Sequence, residues 1–234
     1  MSQVRRFWQQ AEYVAHESGY ALTLDGQLRR TPAGKVLSCP TLGLAQALVA
    51  EWQSQPEQFD PRLMGITQLV ATAHDITTLK RDEIVQQVAA YALNDLLCCR
   101  TELPLTLAQQ QADIWQPYLD WAEQRFSVQL NWTNALQPAA QSPQAVARLQ
   151  KIIAAYDVFQ LTVLEQLVSI TGSLILALAL MEGWRDAAAI HQAAELETLF
   201  QMEQWGEDEA ARERLTQIEA ELISLAQFLA WCRA

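Results

Sequence analysis

Glycine is sparse and never clustered: the eight residues stand alone at positions 19, 26, 34, 43, 65, 172, 183 and 206. Neither a P-loop nor a G-x-G-x-x-G turn is present, which removes both common routes to nucleotide binding. His16, His74 and His191 are scattered, with no H-x-x-x-H or H-E-x-x-H pair, so no local zinc site is expected. No G-x-S-x-G elbow occurs, and an α/β-hydrolase nucleophile is not indicated. The four cysteines, Cys39, Cys98, Cys99 and Cys232, form no C-x-x-C pair. In a chain of this size they read as free buried thiols in a reducing compartment. No fixed-period repeat or low-complexity tract is visible.

Positive charge is also scarce. Sixteen basic residues face 27 acidic ones, a formal net charge of −11. That balance argues against nucleic acid and against an anionic membrane surface, and favours a basic partner. The opening MSQVRRFWQQAEY lacks the apolar core of a secretory signal and is soon followed by Glu12 and Glu17, so the cytoplasm is the expected location. The strongly apolar run from Leu167 to Met181 carries no charge over 15 residues. A bilayer span needs roughly 20, so the run is expected to be one buried central helix and not a stable membrane insertion.

What the chain does have is core: half of its residues are hydrophobic, and eight are tryptophan. The first part reads as α+β. After an amphipathic opening helix, residues 20–32 alternate apolar and polar around Asp25-Gly26, a hairpin-turn pair. Residues 35–39 read as another short strand, ending at Pro40. Thr41 is placed to cap a helix that buries Leu44, Leu48 and Trp52. After about Pro61 strand signals nearly vanish, and helices are expected over 82–97, 109–126, from Ser142-Pro143 onward, over 184–205 and over 208–233. Residues 128–132 read as a strand or an extended connector. The expected architecture is therefore a small N-terminal α+β domain (1–64) with an antiparallel hairpin-based sheet, followed by a larger all-α domain (65–234).

Few residues invite a functional reading. His74-Asp75 is adjacent in sequence, but neighbours on a helix point about 100° apart, and capping or surface roles fit better than acid–base work. Tyr91 and Asp95 are four apart and able to share a helix face, either ordering a buried turn or meeting a partner. The densest feature lies between Glu195 and Glu221, where nine carboxylates face only Arg212 and Arg214. Its centre sets Glu203, Trp205 and Gly206 before Glu207, Asp208 and Glu209. Gly206 can end one helix while acids favour the start of the next. That accounts for Glu207 and Asp208 but not for the tryptophan or the charge density, which equally suit docking to a basic surface.

Several stretches together resemble the assembly chaperones of the F-type ATP synthase catalytic head that act on the alpha subunit, a family with mitochondrial and alphaproteobacterial members. The similar stretches are Leu24-Asp25-Gly26 with Thr31-Pro32-Ala33, Ala50-Glu51-Trp52, and Tyr91 with Asp95-Leu96-Leu97-Cys98 and Arg100, where Cys99 stands in place of the usual Tyr. They continue with Gln111, Trp115, Pro117 and Trp121 (Gln116 replacing an Asp), Gly172-Ser173 before LILALAL, and Phe200-Gln201, Glu203 and Trp205-Gly206. The resemblance implies the same two-part fold, no catalysis and no cofactor. It also implies an important acid shortly after the Trp-Gly, aligned best with Glu209 and with Glu207 and Asp208 still open.

The expected activity is thus physical. A monomer covers the interface that the unassembled alpha subunit exposes, then yields to the beta subunit, with relatives acting in the mitochondrial matrix. Partner contacts are expected at Glu203, Trp205, Glu207, Asp208, Glu209, Tyr91 and Asp95. Two other readings remain: a hydrolase using carboxylates that converge from separate helices, and a stable structural subunit of a complex.

Overall fold

The computed structural model of the chain describes residues 4–17, 19–206 and 208–234. They divide into two compact units: one falls within residues 1–81, 157–163 and 227–234, the other within 82–156 and 164–226.

The first unit is built on strand β3 (Gly19–Leu24). Its whole length pairs antiparallel with β2 (Ala11–His16), from Ala11 opposite Leu24 to His16 opposite Gly19. The other edge of β3 is shared by β4 (Gln27–Leu28) and β5 (Ser38–Cys39). Asp25 and Gly26 both adopt positive φ, 49° and 80°, and make the β3–β4 turn that their sequence predicts. The opening helix is not formed. Residues 4 and 5 are a short strand, β1 (Val4–Arg5), paired with β6 (Gln58–Phe59), and residues 11–16 are β2. A six-residue ladder with β3 satisfies backbone groups that a short solvent-exposed helix would hold only marginally.

Helix α1 (Leu42–Gln53) covers the sheet with Leu44, Ala45, Leu48 and Trp52 buried. Thr41 caps it as expected: its hydroxyl accepts from the Leu44 N–H at 3.3 Å and donates to the Trp231 carbonyl at 2.6 Å. Glu51, on the far side of α1, supplies the cap of the next helix, α2 (Gly65–Thr72). Its carboxylate accepts from Ile66 N–H and Thr67 N–H, each at 2.8 Å, and from the Thr67 hydroxyl at 2.6 Å. The α2 start has no side-chain cap of its own, so Glu51 stands in for one. Glu51→Ala is therefore expected to destabilise the chain by about 2 kcal/mol, read from urea denaturation, while Glu51→Gln retains part of the loss.

A π-helical turn, Ala73–Thr77, follows α2. There Asp75 accepts from the Thr31 hydroxyl at 2.6 Å and the Ala33 N–H at 3.0 Å, whereas His74 Nε2 lies 2.8 Å from the Ser38 carbonyl. The two adjacent side chains serve different partners and are not a dyad.

The second unit is helical. It contains α3 (Arg81–Ala90) from Asp82 onward, α4 (Leu105–Phe126), α5 (Pro143–Ile153), α7 (Leu174–Met181), α8 (Ala187–Ala194), α9 (Leu196–Trp205), and parts of α6 (Val158–Thr171) and α10 (Glu209–Arg233). Ser142 caps α5 through Ala145 N–H, with Pro143 in the first turn. Two 3₁₀ turns, Tyr91–Asn94 and Leu96–Cys98, replace the end of the helix expected over 82–97. Residues 128–132 are an extended connector leading to a single parallel bridge between Cys99 and Thr133.

Two expectations for single helices are corrected. The apolar run 167–181 is split at Gly172, whose φ of +64° ends α6, and Ser173, whose hydroxyl caps α7 at Leu176 N–H. All eight residues of α7 are buried, so the run is a core segment as expected, but as two helix pieces. The stretch 184–205 is likewise two helices, with Asp186 capping α8 and Glu195 at the break. Cys99 is also exposed, against the expectation of a buried thiol, whereas Cys39 and Cys98 are buried.

In the core of this unit Trp115 is completely buried and donates from Nε1 to the Ala193 carbonyl at 2.8 Å. Gln111, equally buried, accepts from Thr101 N–H and donates to Glu197. Trp121 stacks on Trp184 with centroids 5.0 Å apart.

Candidate functional site

The acidic segment folds into α9 and the start of α10. Its two ends differ. At the inner end Glu195 is buried and ion-paired with Arg214 at 2.5 Å, and Glu197 accepts from the Gln111 amide at 2.7 Å. Those carboxylates, and one of the two arginines, are committed to internal structure. Trp205 lies eight residues beyond Glu197, about 12 Å along the helix axis.

At the outer end Trp205 is the last residue of α9 and is 79% exposed. Gly206, with φ of +93°, closes the helix through its N–H to the Met202 carbonyl. Asp208 then starts α10: its carboxylate accepts from Ala210 N–H and its carbonyl from Arg212 N–H. Glu203, Asp208 and Glu209 are all exposed, and none makes an ion pair within the described residues. Glu207 lies outside the described residues. The capping role thus falls to Asp208 and explains one acid. It leaves an exposed indole among surface carboxylates, which no demand of the fold explains.

Tyr91 and Asp95 do not share a face. Tyr91 is partly exposed at the start of a 3₁₀ turn, whereas Asp95 is fully buried. The Asp95 carboxylate accepts from the Ser173 hydroxyl at 2.6 Å, Leu97 N–H at 3.1 Å and Ile175 N–H at 3.2 Å. It caps the 3₁₀ turn that follows it and the start of α7 at once. Burial raises its pKa to about 6, the hydrogen bonds pulling the other way without prevailing. With no exposed surface, Asp95 is an organiser of the core and presents nothing to a partner or a substrate, a correction to its expected role as a contact.

The sequence reading missed an apolar surface in the same unit. A cleft of about 490 Å³ opens beside Arg100–Leu103 and the loop at Asn134–Leu136, with Glu197 in its wall. Around it Leu103 and Leu105 are 72% and 75% exposed and Leu136 is fully exposed. Trp132, half exposed, carries the Arg100 guanidinium over its ring at 4.7 Å. The available signal was leucine inside a Pro-containing connection, where polar residues are the rule.

Three comparisons bear on what this arrangement serves. The profile of the ATP12 chaperone protein family matches residues 5–123. The mitochondrial protein atp12 of Schizosaccharomyces pombe is 25% identical over 221 residues, covering 89% of this chain and 76% of that protein. Crystal structures of Atp12 from Paracoccus denitrificans and of a mutant form of it each superpose with a TM-score of 0.94 at 34% identity, covering 98% of both chains.

Proposed function

This chain belongs to the ATP12 chaperone family, the one its sequence motifs resemble, and on that premise we propose that its client is the unassembled alpha subunit of F-type ATP synthase. The chaperone covers the alpha-subunit surface destined for a beta subunit, keeps it from self-association, and is displaced when the beta subunit arrives. The observation that carries this reading is the exposed Trp205 set among Glu203, Asp208 and Glu209. An aromatic anchor ringed by carboxylates suits a client surface that is apolar at its centre and basic around it. The apolar side chains at Leu103, Leu105 and Leu136 extend the same logic, because a surface meant to shield apolar area must itself offer some.

Exchange with the beta subunit demands a contact that is specific yet reversible, which favours a small anchor with steering charge over a large dry interface. No chemical step is involved. In a bacterium the site of action is the cytoplasm, and the fission-yeast relative is mitochondrial by name. No helix of the described residues is long and apolar enough to cross a membrane.

The test is coexpression with the alpha subunit of the same organism, followed by pull-down with and without beta subunit. Soluble alpha subunit held by the chaperone and released by beta is the expected result. Alpha subunit that neither binds nor gains solubility overturns the reading, and retention of the chaperone in fixed stoichiometry with the finished enzyme would make it a structural subunit instead.

A further inference from the structure

We propose that a cleft in the first unit is a separate binding site, one that takes a polypeptide segment in which a carboxylate neighbours a bulky apolar side chain. The cleft encloses about 480 Å³, within the range of sites that seat a few residues or a small ligand. Its floor is apolar and closed: Leu37, Trp52, Phe59 and Met64 are all buried. Its rim is apolar and open, with Phe7 62% exposed.

The specific feature is Arg29. Its guanidinium lies 5.2 Å from the Trp52 ring centroid and 5.6 Å from that of Phe7. It makes no hydrogen bond or ion pair within the described residues, although it is half-buried. A guanidinium has five N–H donors and remains charged; among the described residues these donors meet no protein acceptor, and none of the Arg29 nitrogens is sealed from solvent, so they are open to a ligand. Arg30 adds a second cation to the lining, with one N–H on the Gly34 carbonyl. Among the described residues, no acidic one lines the cleft. The nearby carboxylates of Asp75 and Glu51 lie behind it, occupied by the lining residues Thr31 and Thr67.

A positive cleft in a chain of net charge −11 is against the general trend of the molecule. The planar fork of Arg29 matches a carboxylate in bidentate fashion, while the ring faces that hold it leave adjacent apolar floor for a neighbouring side chain. A polypeptide is favoured over a small acid because the apolar surface runs on past the cleft: Leu63, between the lining residues Pro61 and Met64, is 84% exposed. None of this rests on the identity of the alpha subunit as client.

The experiment uses the full chain and two fluorescein-labelled hexapeptides, Gly-Leu-Glu-Phe-Leu-Gly and its Glu-to-Gln counterpart, followed by fluorescence polarisation. The Glu peptide is expected to bind saturably and the Gln peptide about tenfold or more weakly, the usual loss when a charge-assisted pair is broken. Arg29→Gln should lose the same factor and no longer distinguish the peptides, with Arg29→Lys in between. Thermal melting of each variant confirms folding, and the peptide pair reports on the charge contact without any variant at all. No saturation of either peptide by about 1 mM, the weak end of specific recognition, overturns the site. So does equal binding of the two peptides, or an Arg29→Gln variant that binds as the wild type does. Competition by 4-phenylbutyrate as strong as that by unlabelled Glu peptide overturns the polypeptide occupant and assigns the cleft to small organic acids.

Discussion

Asp95→Ala is expected to destabilise the folded chain by about 3–5 kcal/mol, the upper range for a single substitution. The carboxylate holds the Ser173 hydroxyl and the N–H groups of Leu97 and Ile175 in a site with no access to water. Alanine leaves all three donors without a partner, and each lost partner in such a place costs about 1–3 kcal/mol. Urea denaturation measures the effect, and a thermal midpoint lower by about 10 °C should accompany it. Asp95→Asn keeps one acceptor oxygen and should lose clearly less. A loss below about 1 kcal/mol for the alanine variant would mean that water or a rearranged Ser173 replaces the carboxylate.

The same group makes stability depend on pH in a definite direction. Its folded pKa, about 6, is above the ordinary value of 3.8. Between those values the folded state holds a proton that the unfolded chain has released. The stabilisation from Asp95 is therefore complete below pH 3.8 and lost as pH rises through 6. The stability difference between wild type and Asp95→Asn should shrink from pH 5 to pH 7. A difference that widened over that interval would show that the hydrogen bonds outweigh burial.

Trp205→Ala is expected to weaken binding of the proposed client, the unassembled alpha subunit, about 30-fold, as loss of an aromatic anchor commonly does. At 79% exposure the side chain contributes little to folding, so the melting temperature should stay within a degree or two. Reversing the charge of Asp208 and Glu209 together tests the other half of the site. Rim charges act mainly on association, so a slower on-rate with a flattened salt dependence is expected. The indole should act instead on dissociation. Biolayer interferometry separates the two. If both variants bind as wild type does, the end of α9 and the start of α10 are not the client surface.

How far the sequence revealed this molecule depends on where each signal resides. Asp25-Gly26, Thr41 and Ser142-Pro143 act within a few residues of themselves, and each does what its local chemistry predicts. Strand β2 has no comparable signal: of its six residues only Ala11 is buried, so the alternation that marks a strand is lacking. It is a strand because β3 pairs with it. The break at Gly172-Ser173 was hidden for the opposite reason, since periodicity has no contrast in a run that is apolar on every side. At the candidate site, the density of acids and the lone Trp-Gly were legible, and Trp205 is exposed. The burial of Asp95 was not, because its partners Ser173 and Ile175 are 78 and 80 residues away. Arg29 was missed similarly, its setting assembled from Phe7, Trp52 and Phe59.

The first unit draws on residues 227–234 as well as on residues 1–81. Thr41, at the start of the helix that covers the sheet, gives its hydroxyl proton to the carbonyl of Trp231, and a side chain on Gly43 would come within 2.8 Å of Ala234. During translation the sheet and α1 emerge first, and the late residues that meet Thr41 and Gly43 follow only after the whole of the second unit. Synthesis therefore runs in one direction and completion of the fold partly in the other. A nascent chain stalled before residue 227 would carry a helical unit with every residue it needs and a sheet unit still open at the Thr41 end. Quality control that samples unfinished chains would find its target within residues 1–81, translated before the residues that complete their unit.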